Sequence, residues 1–311
     1  MTFARRGLRY IIELNQGAFN LGNTPESFDN GASTLDIDGL RSVAILLKAQ
    51  GGSTPFVSHA QIQLWGMKPS DMAKISTLGL DIARINKNAI TVFAYDEGNS
   101  ANASQVFSGT ISNARLNYNA MPDVSLELEC YGTYALQTQA IPATSVQGSG
   151  DVATMLKGIC AACNPALTLV NNGVTAKLSN PAHSGSAFDQ INDICQAAGI
   201  PYKIEGSNLI IWNPGQGIDS TVATTGPANG MVGYPEYNMM GFDVTMEFNP
   251  EVQVGRKLQL LDDSSAGATP VPGIPGTYFI WGVDHQLSSQ LPDGPWFTRA
   301  RIAARGTYPH S

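Results

Sequence analysis

Apolar and polar residues along most of this chain alternate with the two-residue period of a β-strand. The clearest case is Val57 to Trp65. Val57, His59, Gln61 and Gln63 fall on one side, and Ala60, Ile62 and Leu64 on the other. Similar runs at Tyr10–Leu14, Leu40–Ala49, Ala89–Tyr95, Gln105–Ile111 and Val124–Tyr131 predict further strands, with a polar loop at 96–104. Strands spaced this evenly, with turn residues between them, predict a barrel or sandwich over the first 140 or so residues. One short helix interrupts the pattern at Ser70–Ile75, with Ser70 expected as its N-cap behind Pro69.

The period then changes. Pro142 to Gly150 reads as a Ser/Gly/Thr linker. After it, Val152, Met155, Leu156 and Ile159 share one helical face. A second helix is expected from Ser186 to Ala198, with Phe188, Ile191, Ile194 and Cys195 as its stripe and Gly199 as its stop. Pro201–Ile204, the turn at Gly206-Ser207-Asn208 and Leu209–Trp212 predict a hairpin. Pro214 to Pro235 reads as loop. Strand patterns return at Phe242–Phe248, Val254–Leu261, Tyr278–Leu287 and Phe297–Ala304, with a Gly/Pro loop at 264–276. The fold class expected is mainly β (α+β), with domains at 1–143, 144–213 and 214–311, the middle one a small α/β unit.

The outer segments echo each other. Phe107-Ser108-Gly109-Thr110-Ile111 is followed by Pro122-Asp123, a strand and Gly132-Thr133. Phe279-Ile280-Trp281-Gly282-Val283 is followed by Pro292-Asp293, a strand and Gly306-Thr307. Either the two segments are related barrels with the α/β unit inserted between them, or two similar hairpins resemble each other by chance.

Composition narrows the classes. Of 311 residues, 43% are hydrophobic, too many for a disordered chain. The 32 glycines and 18 prolines exclude a coiled coil, and no run of about 18 apolar residues exists to span a membrane. Only 14% of residues are charged, against about 25% in ordinary soluble proteins. A surface so poor in charge is either covered by partners or built from neutral polar groups. The net charge of −7 argues against a nucleic-acid-binding surface and is compatible with an acidic wall past which DNA slides. The N-terminus is basic, but Glu13 follows Ile11 and Ile12, so no signal peptide is expected, and the four cysteines are expected to be reduced.

Candidate chemistry is sparse. Cys160-Ala161-Ala162-Cys163 lies at the end of a predicted helix, whereas redox pairs sit at a helix N-terminus, where the thiolate is favoured. It lacks a second pair for zinc, so these cysteines and Cys195 read as structural. His59, His183, His285 and His310 show no metal spacing, and no GxSxG is present. Ser184-Gly185-Ser186 reads as a helix-capping turn. Gly148-Ser149-Gly150-Asp151 precedes a helix, but no lysine follows and no strand is expected to lead in. Asp36-Ile37-Asp38-Gly39 hints at a calcium loop, but position 47 is Leu47 where an acidic ligand is needed; it and Asp262-Asp263 read as solvated loops. No catalytic residue, cofactor or metal is expected.

The densest signal is the last hairpin. His285 closes one strand, Pro292-Asp293-Gly294 is turn chemistry, and Trp296 opens the return strand, where it could pack on the His285 side. The segment Gly276–Leu287 followed by Pro292–Thr298 resembles the end of phage tail baseplate hub proteins, in which a strand closing on "V-x-H" precedes a Gly-Trp turn and a final strand. Phe248-Asn249-Pro250-Glu251-Val252-Gln253-Val254-Gly255 looks like the family's "NP…VG" lead into a strand, and Phe107–Ile111 like its "F-x-G-x-I" strand. Residues 151–163 and 188–211 look like its small middle domain. The first 50 residues match least.

The resemblance implies a structural role. Hub proteins of this kind form a homotrimer in which each chain gives two tube-like β-barrels, so that three chains make a pseudo-sixfold ring. The expected partners are the tail tube protein, the central spike protein and other baseplate proteins. DNA would pass through without specific binding, in a virion tail assembled in the host cytoplasm, and no membrane anchor is expected. Two other classes stay open: the equivalent hub of a contractile injection device, and a cell-wall-degrading tail enzyme. For the enzyme the sequence offers no paired catalytic carboxylates.

Overall fold

The alternation is realised as β-structure. The computed structural model describes residues 6–14, 27–50, 55–76, 88–96, 102–238, 240–261 and 275–303. Asp262-Asp263, Gly306-Thr307 and His310, and most of the expected loops at 96–104 and 264–276, lie outside these residues. The chain divides into two compact units. Unit one comprises Met1–Leu46, Ser58–Tyr134 and His285–Trp296; unit two comprises Leu47–Val57, Ala135–Asp284 and Phe297–Ser311.

The first part of the chain forms β1 (Gly7–Glu13), β2 (Thr34–Asp38), β3 (Ser42–Ala49), β4 (Val57–Trp65), α1 (Pro69–Ile75), β5 (Ala89–Tyr95), β6 (Ser104–Asn117) and β7 (Ser125–Tyr131). In unit one the strands run β4-β7-β6-β5-β1-β2, each antiparallel to its neighbour. Ser58, Ala60, Ile62 and Leu64 of β4 are buried, as the alternation predicts. They share the core side with Leu126, Leu128 and Cys130 of β7 and with Tyr10 and Ile12 of β1.

The middle of the chain forms α2 (Tyr134–Gln137), β8 (Thr144–Ser145), β9 (Ser149–Asp151), α3 (Val152–Ala162), β10 (Thr168–Asn172), β11 (Lys177–Ser179), β12 (Ala182–His183), α4 (Ala187–Ala197), β13 (Tyr202–Glu205) and β14 (Asn208–Trp212). The stripes of α3 and α4 bury Leu156, Ile159, Ile191 and Ile194 in one cluster with Tyr202, Leu209 and Ile211 of the strands. Each such aliphatic side chain contributes roughly 1.5–3 kcal/mol. Asp151 caps α3 by accepting from the Thr154 N–H at 2.8 Å. Ser186 and Asp189 form a capping box on α4. Gly199 ends α4 at φ +62°, and the Ile200 N–H reaches back to the Cys195 carbonyl at 3.0 Å, as a left-handed C-terminal glycine allows.

The last part forms β15 (Val222–Thr225), β16 (Glu236–Tyr237), β17 (Gly241–Glu247), β18 (Lys257–Leu260), β19 (Gly276–Ser289) and β20 (Trp296–Ala303). In unit two the strands run β16-β17-β20-β19-β18-β15, with β15 parallel to β18. Their core holds Val244, Leu258, Ile280, Ala300 and Ile302. Among the described residues no helix is long and apolar enough to cross a membrane.

Several expectations need correction. The residue capping α1 is Lys68, with Pro69 inside the first turn; Ser70 instead donates to an Asp29 carboxylate oxygen at 2.5 Å. Proline suits the first helical position because its missing N–H has no helical acceptor there anyway. The segment read as a linker is not free: Thr144–Ser145 pairs with Ala182–His183, and Ser149–Asp151 with Lys177–Ser179. A short strand therefore does lead into α3. Small side chains hide this from a hydrophobicity pattern, because the pairing is carried by the backbone. Asp36 and Asp38 lie in β2 and not in a loop. The strand expected at Val254 starts at Lys257, because Gly255 turns the chain at φ +86°. The loop expected at 214–235 contains β15.

Unit two also buries charge. Glu205 of β13 receives two ammonium groups, from Lys48 at 2.7 Å and Lys203 at 3.0 Å. Lys203 also donates to the Gln253 side chain at 3.1 Å, and the Gln50 side chain accepts from the Tyr202 N–H at 3.1 Å. Three stretches of chain are tied at one point. Burial alone would push the Glu205 carboxyl up, but Lys48 and Lys203 outweigh it and hold it at about 2. Glu205→Ala leaves two lysines without their counter-charge and is expected to lower stability by about 3 kcal/mol in urea unfolding near neutral pH. The depressed carboxyl contributes stability above its unfolded value near 4.5, and loses it as pH falls toward about 2. The gap between parent and variant should therefore stay constant above about pH 5.5 and close below it. A gap that persists unchanged at the acid end refutes the assignment.

Candidate functional site

The hairpin marked in the sequence lies at the end of unit one's last segment. His285 is buried in β19, and Leu287, Ser288 and Ser289 beside it are buried too. The chain turns through Gln290 and Asp293, both at positive φ, with Pro292 and Asp293 exposed. The Gly294 N–H bonds to the Leu291 carbonyl at 3.3 Å. The Ser288 hydroxyl donates to the Pro295 carbonyl at 3.0 Å and closes the loop from inside. Gly294 is required by this closeness, since a Cβ there would stand 2.1 Å from the Ser288 hydroxyl oxygen. Trp296 is 2% exposed, and the Arg6 guanidinium lies 5.9 Å from its ring centroid. The four predicted residues thus share one hairpin: His285 and Trp296 are inside, and Pro292 and Gly294 shape the tip.

The other candidates are scattered. All four cysteines are free and buried, and burial pushes the Cys160 thiol up to about 12, the wrong direction for a reactive thiolate. His59 stacks on Tyr131 at 4.7 Å between centroids, with its Nε2 3.6 Å from a Glu129 carboxylate oxygen. His183 is in β12. Ser186 caps α4, and Gly185 before it turns at φ +116°. Among the described residues no three His, Cys, Asp or Glu side chains converge as a metal site would need.

What the register does assemble is a polar sheet face. On the side of unit one's sheet away from its core, Gln61 stands opposite Glu129 and Gln63 opposite Glu127. Glu129 and Glu127 stand opposite Asn113 and Arg115 of β6. Further along the sheet, Arg9, Ile11 and Glu13 of β1 lie between Phe93, Thr91 and Ala89 of β5 and Asp38, Asp36 and Thr34 of β2. Five carboxylates share this face with two guanidiniums. Arg9 donates to Asp36 at 2.8 Å and Arg115 to Glu127 at 2.6 Å, and both carboxyls are held below their ordinary values by these partners and, for Glu127, first by Asn117. The matching face of unit two is closer to balance, with Arg301 on Asp284 at 2.6 Å, Arg299 on Asp243, and Lys257 over the Phe279 ring.

Sequence comparison agrees with the family resemblance. The family model for the baseplate hub gp41 matches residues 76–301, well over half of the chain. The chain belongs to this baseplate hub family. No curated protein matches it in sequence. Among solved structures, the tail protein from Neisseria meningitidis MC58 superposes with a TM-score of 0.62 at 13% identity, over 97% of this chain and 98% of that one. The 43 kDa tail protein of prophage MuSo2 from Shewanella oneidensis gives 0.55 at 9% identity, over 95% and 96%. The E. coli c3393 protein is a component of the type VI secretion system, with structural similarity to T4 bacteriophage tail proteins gp27 and gp5. It gives 0.56 at 10% identity, over 87% and 76%. At such identities the likeness is one of fold. The baseplate hub match begins at residue 76, so the strands before it, where the motifs were weakest, are covered by the structural likeness alone.

Sequence reasoning found the hub's hairpin and missed its polar face, because that face comes from register across six strands. The alternation of β4 was the available signal; it could be extended only by knowing which strands pair. Trp296→Ala is expected to lower stability by about 3 kcal/mol through lost packing. Gly294→Ala should also destabilise by crowding Ser288. Thermal melting checks both, and unchanged midpoints would reject the packing role of the hairpin.

Proposed function

We propose that this chain is a structural virion protein: a trimeric baseplate hub in the phage tail that joins the sixfold tail tube to the threefold central spike and forms part of the DNA conduit. The observation that carries the proposal is a repeated strand order. Unit one runs β4-β7-β6-β5-β1 and unit two β17-β20-β19-β18-β15, each centred on a strand of 14 residues, β6 or β19. The echoed motifs Phe107–Ile111 and Phe279–Val283 lie in those two long strands. A chain in which this strand order occurs twice supports a ring of three chains with six similar walls. The proposed division is a barrel-like domain at 1–143, a small α/β domain at 144–213 and a second barrel-like domain at 214–311. Unlike β1, which is antiparallel to β5, β15 is parallel to β18, so the two copies have diverged at that edge.

Membership of a baseplate hub family supports a structural role and a place in the tail, with the tube, spike and other baseplate proteins as partners. The fold shared with the E. coli secretion-system component favours a second reading, the hub of a contractile injection device; capsid genes beside this one would set it aside. Mass measurement in solution should give three times the 33.0 kDa chain. A protein that stays monomeric even with its tube and spike partners overturns the proposal.

The acidic face of unit one suits a conduit wall, since excess carboxylates and neutral amides repel or ignore a phosphodiester. Gln61→Lys with Gln63→Lys cuts that excess from three carboxylates to one and sets two free ammonium groups on the face without breaking an ion pair. The parent trimer should leave duplex DNA unshifted in an electrophoretic assay at roughly 50 mM salt, and the double variant should retard it in a salt-sensitive way. Retardation by the parent protein would remove the wall assignment.

A further inference from the structure

Strand β2 has one pairing partner, β1, among the described residues. Beside it is a cavity of about 360 Å³ lined by Leu35, Ile37, Leu40 and Met67 together with Asp36, Asp38 and Asp71. Leu35 and Ile37 point to one face of β2, Asp36 and Asp38 to the other. A cavity that touches both sets runs along the strand's open edge, where backbone donors and acceptors await a partner. Its floor is aliphatic and its rim is acidic. Asp36 is held by Arg9, and Asp29, also on the rim, by Lys74 at 2.9 Å. Asp38 accepts a neutral donor, the Tyr95 hydroxyl, at 2.6 Å, and Asp71 accepts the Asp29 N–H at 2.9 Å with the Lys74 ammonium 4.0 Å away. Even with Lys68 added to the rim, carboxylates outnumber cations.

We infer that this groove takes an extended segment of another protein, added as a strand to the open edge of β2, with apolar side chains over Leu35 and Met67 and a lysine or arginine at Asp38. Main-chain bonds to an edge give affinity, and pockets for alternate side chains give choice of partner. A second copy of this chain is a poorer occupant. The outer strands of unit two, β15 and β16, carry no basic residue, and β2 itself carries none. The inference rests on unit one's own geometry and holds whether or not the chain is a trimer.

The test uses a short, capped, fluorescent peptide of alternating valine and lysine, titrated into the full chain and followed by anisotropy. Three comparisons accompany it: the same peptide with glutamate for lysine, the same peptide N-methylated on alternate backbone nitrogens, and the Asp38→Asn protein, which keeps an acceptor for Tyr95. The lysine peptide should bind. The glutamate peptide should not, N-methylation should abolish binding, and Asp38→Asn should weaken it about fivefold, the scale of one exposed ion pair. Failure of the lysine peptide to bind, equal binding by the glutamate peptide, or indifference to N-methylation or to Asp38→Asn each overturns the inference. So does a change in the protein's own oligomeric mass caused by Asp38→Asn, which would make a second copy the occupant.

Discussion

A β-strand must face two ways at once, and this molecule is organised around that constraint. Successive side chains leave a strand on opposite sides, so a sheet with one apolar face necessarily builds a second face from the residues between. In unit one the core rows run through Ile62, Leu64, Leu126, Leu128, Val92 and Tyr10. The register that packs those rows also places Gln61, Gln63, Glu127, Glu129 and Arg115 side by side on the other face. Slipping one strand by a residue would exchange the two sets, so the core's demand for burial also holds the polar face in place. The polar face is thus specified without residues of its own.

The same constraint explains what was legible in the sequence. Strands with strict alternation, such as β4, β5 and β7, could be read from single stretches, and so could α3 and α4, whose stripes and caps are local. Elements stabilised by backbone pairing with distant segments could not. Thr144–Ser145 and Ser149–Asp151 carry almost no apolar signal, and their partners lie 26 to 39 residues later. β2 reads as an acidic loop because Asp36 and Asp38 alternate with Leu35 and Ile37 over only five residues. Pro69 was read as standing before a helix when it is the helix's first residue. The hairpin at His285–Trp296 was found because its turn residues and its tryptophan are contiguous. The acidic face was not, because its members come from six strands.

Low charge now has a structural meaning. Where charges occur inside, they are gathered into ties such as Lys48–Glu205–Lys203, which hold segments that no strand pairing joins. Where they occur on the sheets, they sit in cross-strand pairs such as Arg115–Glu127 and Arg301–Asp284. Cations committed to carboxylates in this way attract a polyanion less than free ones would, while unit one keeps its acidic excess. Such a surface tolerates close neighbours, because desolvating amides, hydroxyls and paired ions costs less than desolvating isolated charges.

The two units use one strand order for different surfaces. Unit one presents an acidic excess and, among the described residues, an edge at β2 paired only with β1. Unit two presents nearly balanced charges, with exposed Tyr234 and Tyr237 near its edge at β16. If the strand order descends from one ancestral sheet, the core rows were the part that had to be kept, since a change there opens a cavity or buries a polar group. The residues between them were free to diverge. In the proposed threefold assembly such divergence would let two walls of common fold but unequal surface meet different neighbours. The parallel pairing of β15, where unit one has the antiparallel β1, lies at the rim of the repeat. There β15 buries only Ala223 and Thr225, so few side chains constrain how that strand is added.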